Sequence, residues 1–372
     1  MIYLDNSATT RQHDQVTDTM LTYMREDFGN PSSLYSLGIT AEKAVKEARK
    51  KVMKAMGRKA GTVYFTSGGT EADSMAIFGT AMARKRRGRG IVTSKVEHPA
   101  VLEACGRLEE MGFEVTYVGV DSECRVNMEE LKAAIRDDTI LVTIMQVNNE
   151  TGTIMPVDDL AELKQQALLH TDAVQAFGKI GLPGGADLIS VSGHKIHGPK
   201  GIGGLWIGEG VRIRPFLVGG GQEAGMRSGT ENVPAIAGFG IAAELAEDPQ
   251  PAVAQVRDYL RRGLKEEISD IRFNSPEDAC PSVLNVSFLG TRAEVLLHTL
   301  EQDEIYVSTG SACSSNKKGQ SHVLEAMGLS DKEIEGAVRF SFSRYNTIEE
   351  MDFVLEKVKA AVSRFRKLGS FR

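Results

Sequence analysis

The chain predicts an α/β fold, in which a large and mainly parallel sheet covered by helices is joined to a smaller α+β unit. Two observations carry this. Across the first two-thirds, short β-rich runs alternate with segments of helical period, which demands crossover connections and a sheet covered on both faces. After about residue 250 the alternation gives way to a long polar helix and then a mixture of strands and helices. A length of 372 residues agrees, since it exceeds what one small core accommodates. We expect a large domain over residues 15–250, and a smaller one formed by 251–372 together with 1–14.

The elements run in this order. "AEKAVKEARKKVMKAMG" sets Val45, Ala48, Val52 and Met56 on one helical face and stops at Gly57. "TVYFT" (Thr62 to Thr66) reads as a strand that breaks at Gly68 and Gly69, and "TEADSMAIFGTAMARKRR" then reads as a helix. Further strands are expected at "GIVTS", "EVTYVGV", "TILVTIMQV", "LLHTDA", "DLISVS" and "GLWIG". In the C-terminal part, "QVRDYLRRGLKEEI" reads as a helix, "SVLNVSFLG" as a strand, and "AEVLLHTLEQ" as a helix. "IYVST" and "AVRFSFS" read as strands, and a terminal amphipathic helix starts at Thr347.

Bulk properties remove several function classes. The net charge of −6 gives no global basic field toward nucleic acid or anionic membranes. The basic run "ARKRRGRG" is explained by cations at a helix C-terminus, so direct nucleic-acid binding is not expected. No apolar run approaches the ~18–20 residues that a membrane span needs. "MIYLDNSATT" lacks the basic and apolar regions of a signal peptide, so a cytoplasmic location is expected. Cys105, Cys124, Cys280 and Cys313 lie far apart with no CxxC, which argues against a zinc ribbon or a disulfide framework.

"SVSGHKIHGPKGIGG", from Ser190 to Gly204, poses the chemical question: a phosphate loop, a metal site, or a lysine whose amine is the reagent. Gly193 and Gly198 have the spacing of a nucleotide-hydrolysing loop, but Pro199 stands where its lysine should come. His194 and His197 form an HxxH without a nearby acid or thiol, so no metal site is expected. Taken alone, a glycine-rich turn explains the stretch.

Lys195 has company, however. A lysine amine is useful against a carbonyl, and pyridoxal phosphate is such a partner. That group demands a phosphate cradle, an acid at its ring nitrogen and a stacking surface. "TSGGTEA" offers Gly69 and Thr70 at a strand-to-helix junction, where free N–H groups favour an anion. "HTDAVQ" sets Asp172 at a strand end, and "VEHPA" supplies His98 to cover a ring face. Each fragment is cheap alone; their order and their places at strand ends make the case together.

The motifs "YLDNSATT", "FGNPSSLYSLG", "FTSGGTEAD", "KVEHPAV", "QVNNETG", "TDAVQAFGK", "SGHKIHGPKGIG", "GGGQEAGMRSGTEN", "STGSACSSN" and "RFSFSRYNT" cover nearly the whole chain in sequence. With them the chain resembles the cysteine desulfurases of the NifS/IscS kind, fold-type I pyridoxal-phosphate enzymes. The resemblance implies that Lys195 carries the cofactor as a Schiff base, and that Thr70, Ser192 and His194 hold its phosphate with the Gly69 turn. It further implies that Asp172 pairs with the ring nitrogen, that Gln175 and Asn149 bond near the phenolic oxygen, and that His98 stacks and takes part in catalysis. Arg339 would clamp the substrate carboxylate, and Thr230 would complete the phosphate site of the partner subunit in a homodimer.

Cys313 selects among the reactions this scaffold supports. Its stretch, "STGSACSSNKKGQSHVL", is small, polar and turn-prone, and reads as a long mobile loop in which Lys317 and Lys318 favour the thiolate. Cys105, on an amphipathic helix, reads instead as a buried core residue. The resemblance implies that L-cysteine is the substrate, L-alanine the product, and Cys313 the site of a persulfide. That sulfur would pass to an acceptor protein, an iron–sulfur scaffold or a tRNA-thiolating enzyme. Selenocysteine lyase or transaminase chemistry, or a sulfur carrier without catalysis, are the readings to be separated from it. The chain departs from the family in two segments, which are short before "ALLHTDA" and within "GKIGLPGGADLIS". It also departs at Tyr35, where a histidine is expected, and in "NKKGQ".

Overall fold

The computed structural model describes residues 1–246, 251–309 and 321–369. A seven-stranded sheet organises its larger part, running, by first residue of each strand, Thr62, Gly203, Leu188, Leu168, Thr139, Gly90, Glu114. Neighbours are parallel throughout except for the strand Gly203–Ile207, which is antiparallel to both strands beside it. The strands are apolar on both faces because both faces are covered. Leu188 and Ile189 point opposite ways, yet each is completely buried, one in a cluster with Met75, Ile77 and Leu108, the other with Val52, Phe177 and Phe239.

Expected and observed elements agree closely, and the differences have physical reasons. The helix Ser36–Ala55 starts earlier than its apolar stripe suggests and ends before Gly57, whose φ of +67° a side chain would resist. The expected strand "TILVTIMQV" ends as a regular strand at Thr143. Ile144 and Gln146 still donate to the neighbouring strand, at the His170 and Asp172 carbonyls, while Met145 between them donates to the Glu97 carboxylate. "IYVST" contributes only Ile305–Tyr306, paired in parallel with Ile2–Tyr3.

A second, antiparallel sheet holds Ala337–Ser341, Val283–Phe288 and Ile271–Phe273. Its core joins Leu4, Leu260, Phe288, Phe340 and Val358, drawn from both ends of the chain. Val323, Leu324 and Met327 instead pack with Val92, Val142 and Leu169 of the large sheet. One edge of the large sheet collects the C-terminal ends of six strands, at Thr66, Ser94, Val118, Thr143, Asp172 and Ser192. In such sheets ligands bind at that edge.

Candidate active site

The cavity of about 230 Å³ at this edge is lined largely by the segments that emerge from the strand ends. Asp172 ends its own strand and accepts the Val174 N–H at 2.8 Å. The strand Leu188–Ser192 runs into a single helical turn that presents His194 and Lys195. The Lys195 ammonium donates to the carbonyls of Ser7 (2.6 Å) and Ala8 (2.8 Å), so the N-terminal segment forms the wall facing it. Gln175 donates to the same Ser7 carbonyl at 2.9 Å.

One end of the cavity is suited to an anion. The helix Gly69–Arg84 begins there with no side chain capping its first turn, which leaves N–H groups without intrahelical partners. Ser192 Oγ is buried and has no hydrogen-bond partner. Gly69 sits so close to Val174 that a Cβ would approach Val174 Cγ2 to 2.8 Å. His194 faces the same cavity, and its Nδ1 lies 3.1 Å from Thr9 Oγ1. Burial pushes its pKa down to about 4, with Lys195 adding to the effect, so the ring is neutral at pH 7.

Two buried acids, Asp172 and Asp73, line the same cavity. Burial raises the Asp172 carboxyl, opposed by His98 and Lys195, and it raises Asp73 well above the usual range, with Asp172 adding to it. His98 caps the helix Pro99–Glu110 by accepting the Ala100 N–H on Nδ1 at 3.1 Å. The neutral ring therefore carries its proton on Nε2, and burial keeps its pKa below the ordinary value.

Arg339 supplies a cation from the second sheet. It is 4% exposed, donates to the Asn149 carbonyl and to Asp5 Oδ1 (2.8 Å each), and leaves Nε buried without a partner. A buried arginine with an unused N–H beside a cavity is prepared for a carboxylate.

Residues 2–354 match the family model for aminotransferase class-V. The cysteine desulfurase IscS of Methanosarcina thermophila is 46% identical over 378 residues, spanning 99% of this chain and 93% of that one. The IscS of Dictyoglomus turgidum is 42% identical over 381 residues, spanning 100% and 97%. The chain belongs to the cysteine desulfurases of the class-V aminotransferase family. Solved structures agree. One described as a NifS-like protein superposes with a TM-score of 0.90 at 40% identity, covering 97% of this chain and 99% of the other. SspA in complex with cysteine gives 0.83 at 33% identity, covering 93% and 100%.

Cysteine desulfurases of this family depend on pyridoxal phosphate, and the residues present fit that group. The orphaned Ser192 hydroxyl and the uncapped helix start suit a phosphate, Asp172 suits a pyridinium, and Lys195 offers an amine inside the same cavity. Of the residues singled out in the sequence, Gly69, Thr70, His98, Asn149, Asp172, Gln175, Ser192, His194, Lys195 and Arg339 line this cavity together. Thr230 does not; it is exposed, in a separate groove with Arg227 and Glu231. Cys313, Lys317 and Lys318 lie outside the described residues. The described chain on either side is tied to this site. Ser308 exchanges backbone bonds with Arg339 (2.7 and 3.1 Å), and Ser321 Oγ donates to Glu150, next to Asn149, at 2.5 Å.

Sequence reasoning missed Asp73, the Ser7 and Ala8 carbonyls, and Asp5. Asp73 lies one helical turn after Thr70, so the 3.6-residue period carried a signal for it. Backbone carbonyls carry none. Cys105 is fully buried as expected, and burial pushes its thiol up to about 12, far from a reactive thiolate. Cys124 and Cys280 are also buried.

Proposed function

We propose that the chain removes sulfur from L-cysteine, releasing L-alanine and leaving a persulfide on Cys313 for transfer to an acceptor protein. The observation that supports it best is convergence: Lys195, Asp172, Ser192, His98 and Arg339, scattered between positions 98 and 339, line one cavity. Pyridoxal phosphate, when bound there, supplies an electron sink for charge developing on the substrate carbon.

In this reading Ser192, Thr70, His194 and the turn at Gly69 hold the phosphate, Asp172 holds the ring nitrogen, and His98 covers the ring. Gln175 and Asn149 lie toward the phenolic oxygen. Arg339 receives the substrate carboxylate on its free edge, fixing which bonds of the amino acid face Lys195. The Lys195 amine carries the cofactor and then moves a proton. His98, with Nδ1 committed to the helix cap, has its Nε2–H to donate. The Cys313 thiolate forms the new S–S bond as the C–S bond of the substrate breaks; the bonding pair stays with carbon and takes a proton, giving alanine.

A homodimer completes the proposal, with Thr230 reaching the partner subunit's phosphate site. Its exposure outside its own cavity supports this, as do the exposed apolar side chains Leu34 (95%), Val218 (79%) and Phe28 (67%). An iron–sulfur scaffold or a tRNA-thiolating enzyme is the expected acceptor, and the cytoplasm the expected compartment. Among the described residues no helix is long and apolar enough to cross a membrane.

The test is Cys313→Ser in the holoenzyme. Visible absorbance should be retained while persulfide formation and alanine release from cysteine collapse. Continued alanine release at the parent rate would remove Cys313 from the reaction. Labelled sulfur traced from the loaded enzyme into cellular protein identifies the acceptor.

A further inference from the structure

Lys179 lies four residues after Gln175, in a helical turn closed by Phe177 N–H to Ala173 and Ile180 N–H to Ala176. That spacing brings the two side chains together, and Lys179 Nζ donates to Gln175 Oε1 at 2.8 Å. On its other side the Gln175 amide donates through Nε2 to the Ser7 carbonyl at 2.9 Å. The same carbonyl accepts from Lys195. A continuous chain of bonds therefore joins Lys179 to the reactive lysine through one amide and one backbone oxygen.

The amide has two possible directions, and its neighbours admit one. An ammonium has donors and no acceptor; a carbonyl oxygen has only acceptors. Reversed, Gln175 would set its oxygen against the Ser7 oxygen and its NH₂ against the ammonium, losing both bonds. Ser7 alone is a weak selector, because other donors are at hand for its oxygen. Lys179 is the residue that ties down the carbonyl end. Gln175 is 5% exposed and lines the cofactor cavity, so its locked direction presents an N–H, and never a carbonyl, to whatever binds there.

We propose that Lys179 is a positioning residue: by holding Gln175 Oε1 it fixes the amide so that a hydrogen-bond donor faces the cofactor's phenolic oxygen. This rests on the reading that the cavity takes pyridoxal phosphate. Lys179 touches no reacting atom itself. Burial lowers its pKa to about 8, opposed by Cys280 and reinforced by Arg339. The bond to Oε1 lowers the cost of keeping that cation enclosed.

The experiment is a double-mutant cycle on the purified holoenzyme, read by the pH midpoint of the bound cofactor's visible band. A donor aimed at a phenolate opposes protonation beside it, so Lys179→Met should raise the midpoint by about half a pH unit or more. In a Gln175→Ala background the same substitution should move it by less than about 0.2 units, because no amide remains to be positioned. Equal shifts in both backgrounds would show a direct charge effect and overturn the proposal, as would no shift in either. Should Lys179→Met fail to fold, Lys179→Gln, an uncharged donor, takes its place. A midpoint nearer the parent than the Gln175→Ala variant supports positioning, and one displaced as far as that variant overturns it. Failure of the parent protein to develop any visible band with pyridoxal phosphate would instead overturn the reading of the site itself.

Discussion

The floor of the cavity and its outer wall are built on different physical terms. The floor, from Asp172 to Lys195, comes from adjacent parallel strands whose register (His170 with Leu188, Asp172 with Ser190) is set by sheet hydrogen bonds and two covered faces. The wall joins chain segments more than 300 residues apart: Asp5 pairs with Arg339, and Ser7 N–H donates to Ser341 Oγ at 2.9 Å. The floor's geometry is therefore local to one sheet, while the wall's depends on how the second sheet and the N-terminus dock. In the proposed function cofactor retention would rest on the first and substrate capture on the second, so substitutions in the two regions should fail differently.

Arg339→Lys is the largest expected break in that division. Lysine keeps the charge but loses the planar fork that grips a carboxylate through two bonds. We expect kcat/KM for cysteine to fall by about 10²–10³-fold, chiefly through KM, with the visible cofactor band unchanged. Loss of the band together with activity would show that the wall also holds the cofactor.

Legibility in the sequence divides along the same line. The floor was readable because strand ends, glycines and helix starts leave local signatures, and these singled out Asp172 and Lys195; Ser192 was named only through the resemblance. Arg339 came from resemblance alone, since nothing in "AVRFSFS" shows that its strand faces a cavity formed by another sheet. Asp5 was overlooked because a residue near the N-terminus acquires its partner only through tertiary docking. The early end of the regular strand at Thr143 was equally hidden. Ile144 to Val147 are as apolar as the strand before them, and the regular pairing is interrupted by the Glu97 carboxylate, which takes the Met145 N–H.

A second test probes the floor through its stability. His170 lies two residues before Asp172 on the same strand face, completely buried, with Thr143 Oγ1 2.8 Å from Nδ1 and Ser190 Oγ 2.9 Å from Nε2. Burial lowers its pKa from 6.5 to about 3. Between those values the unfolded chain holds the proton that the folded one refuses, so stability falls as pH drops through the window. Glu97, raised by burial to about 8, acts with the opposite sign between 4.5 and 8, but is common to parent and variant. In chemical denaturation of the holoenzyme, His170→Gln should lose about 2 kcal/mol less than the parent between pH 7 and pH 5. Identical losses would mean that His170 does not titrate through this window.

The smallest effect tests how the wall holds its arginine. Asp5 accepts from Arg339 Nη2 at 2.8 Å, and two contributions are tangled in that contact: an acceptor that orients the guanidinium and a negative charge that would repel an incoming carboxylate. Asp5→Asn retains an acceptor and removes the charge, so loosened orientation and relieved repulsion should nearly cancel, leaving KM within about threefold of the parent. Asp5→Ala removes both and leaves a buried N–H without a partner, a cost of about 1.4 kcal/mol that should raise KM about tenfold with kcat little changed. An asparagine variant as impaired as the alanine one would assign the positioning to charge. An alanine variant with unaltered KM would show that the Asn149 carbonyl holds Arg339 without help from Asp5.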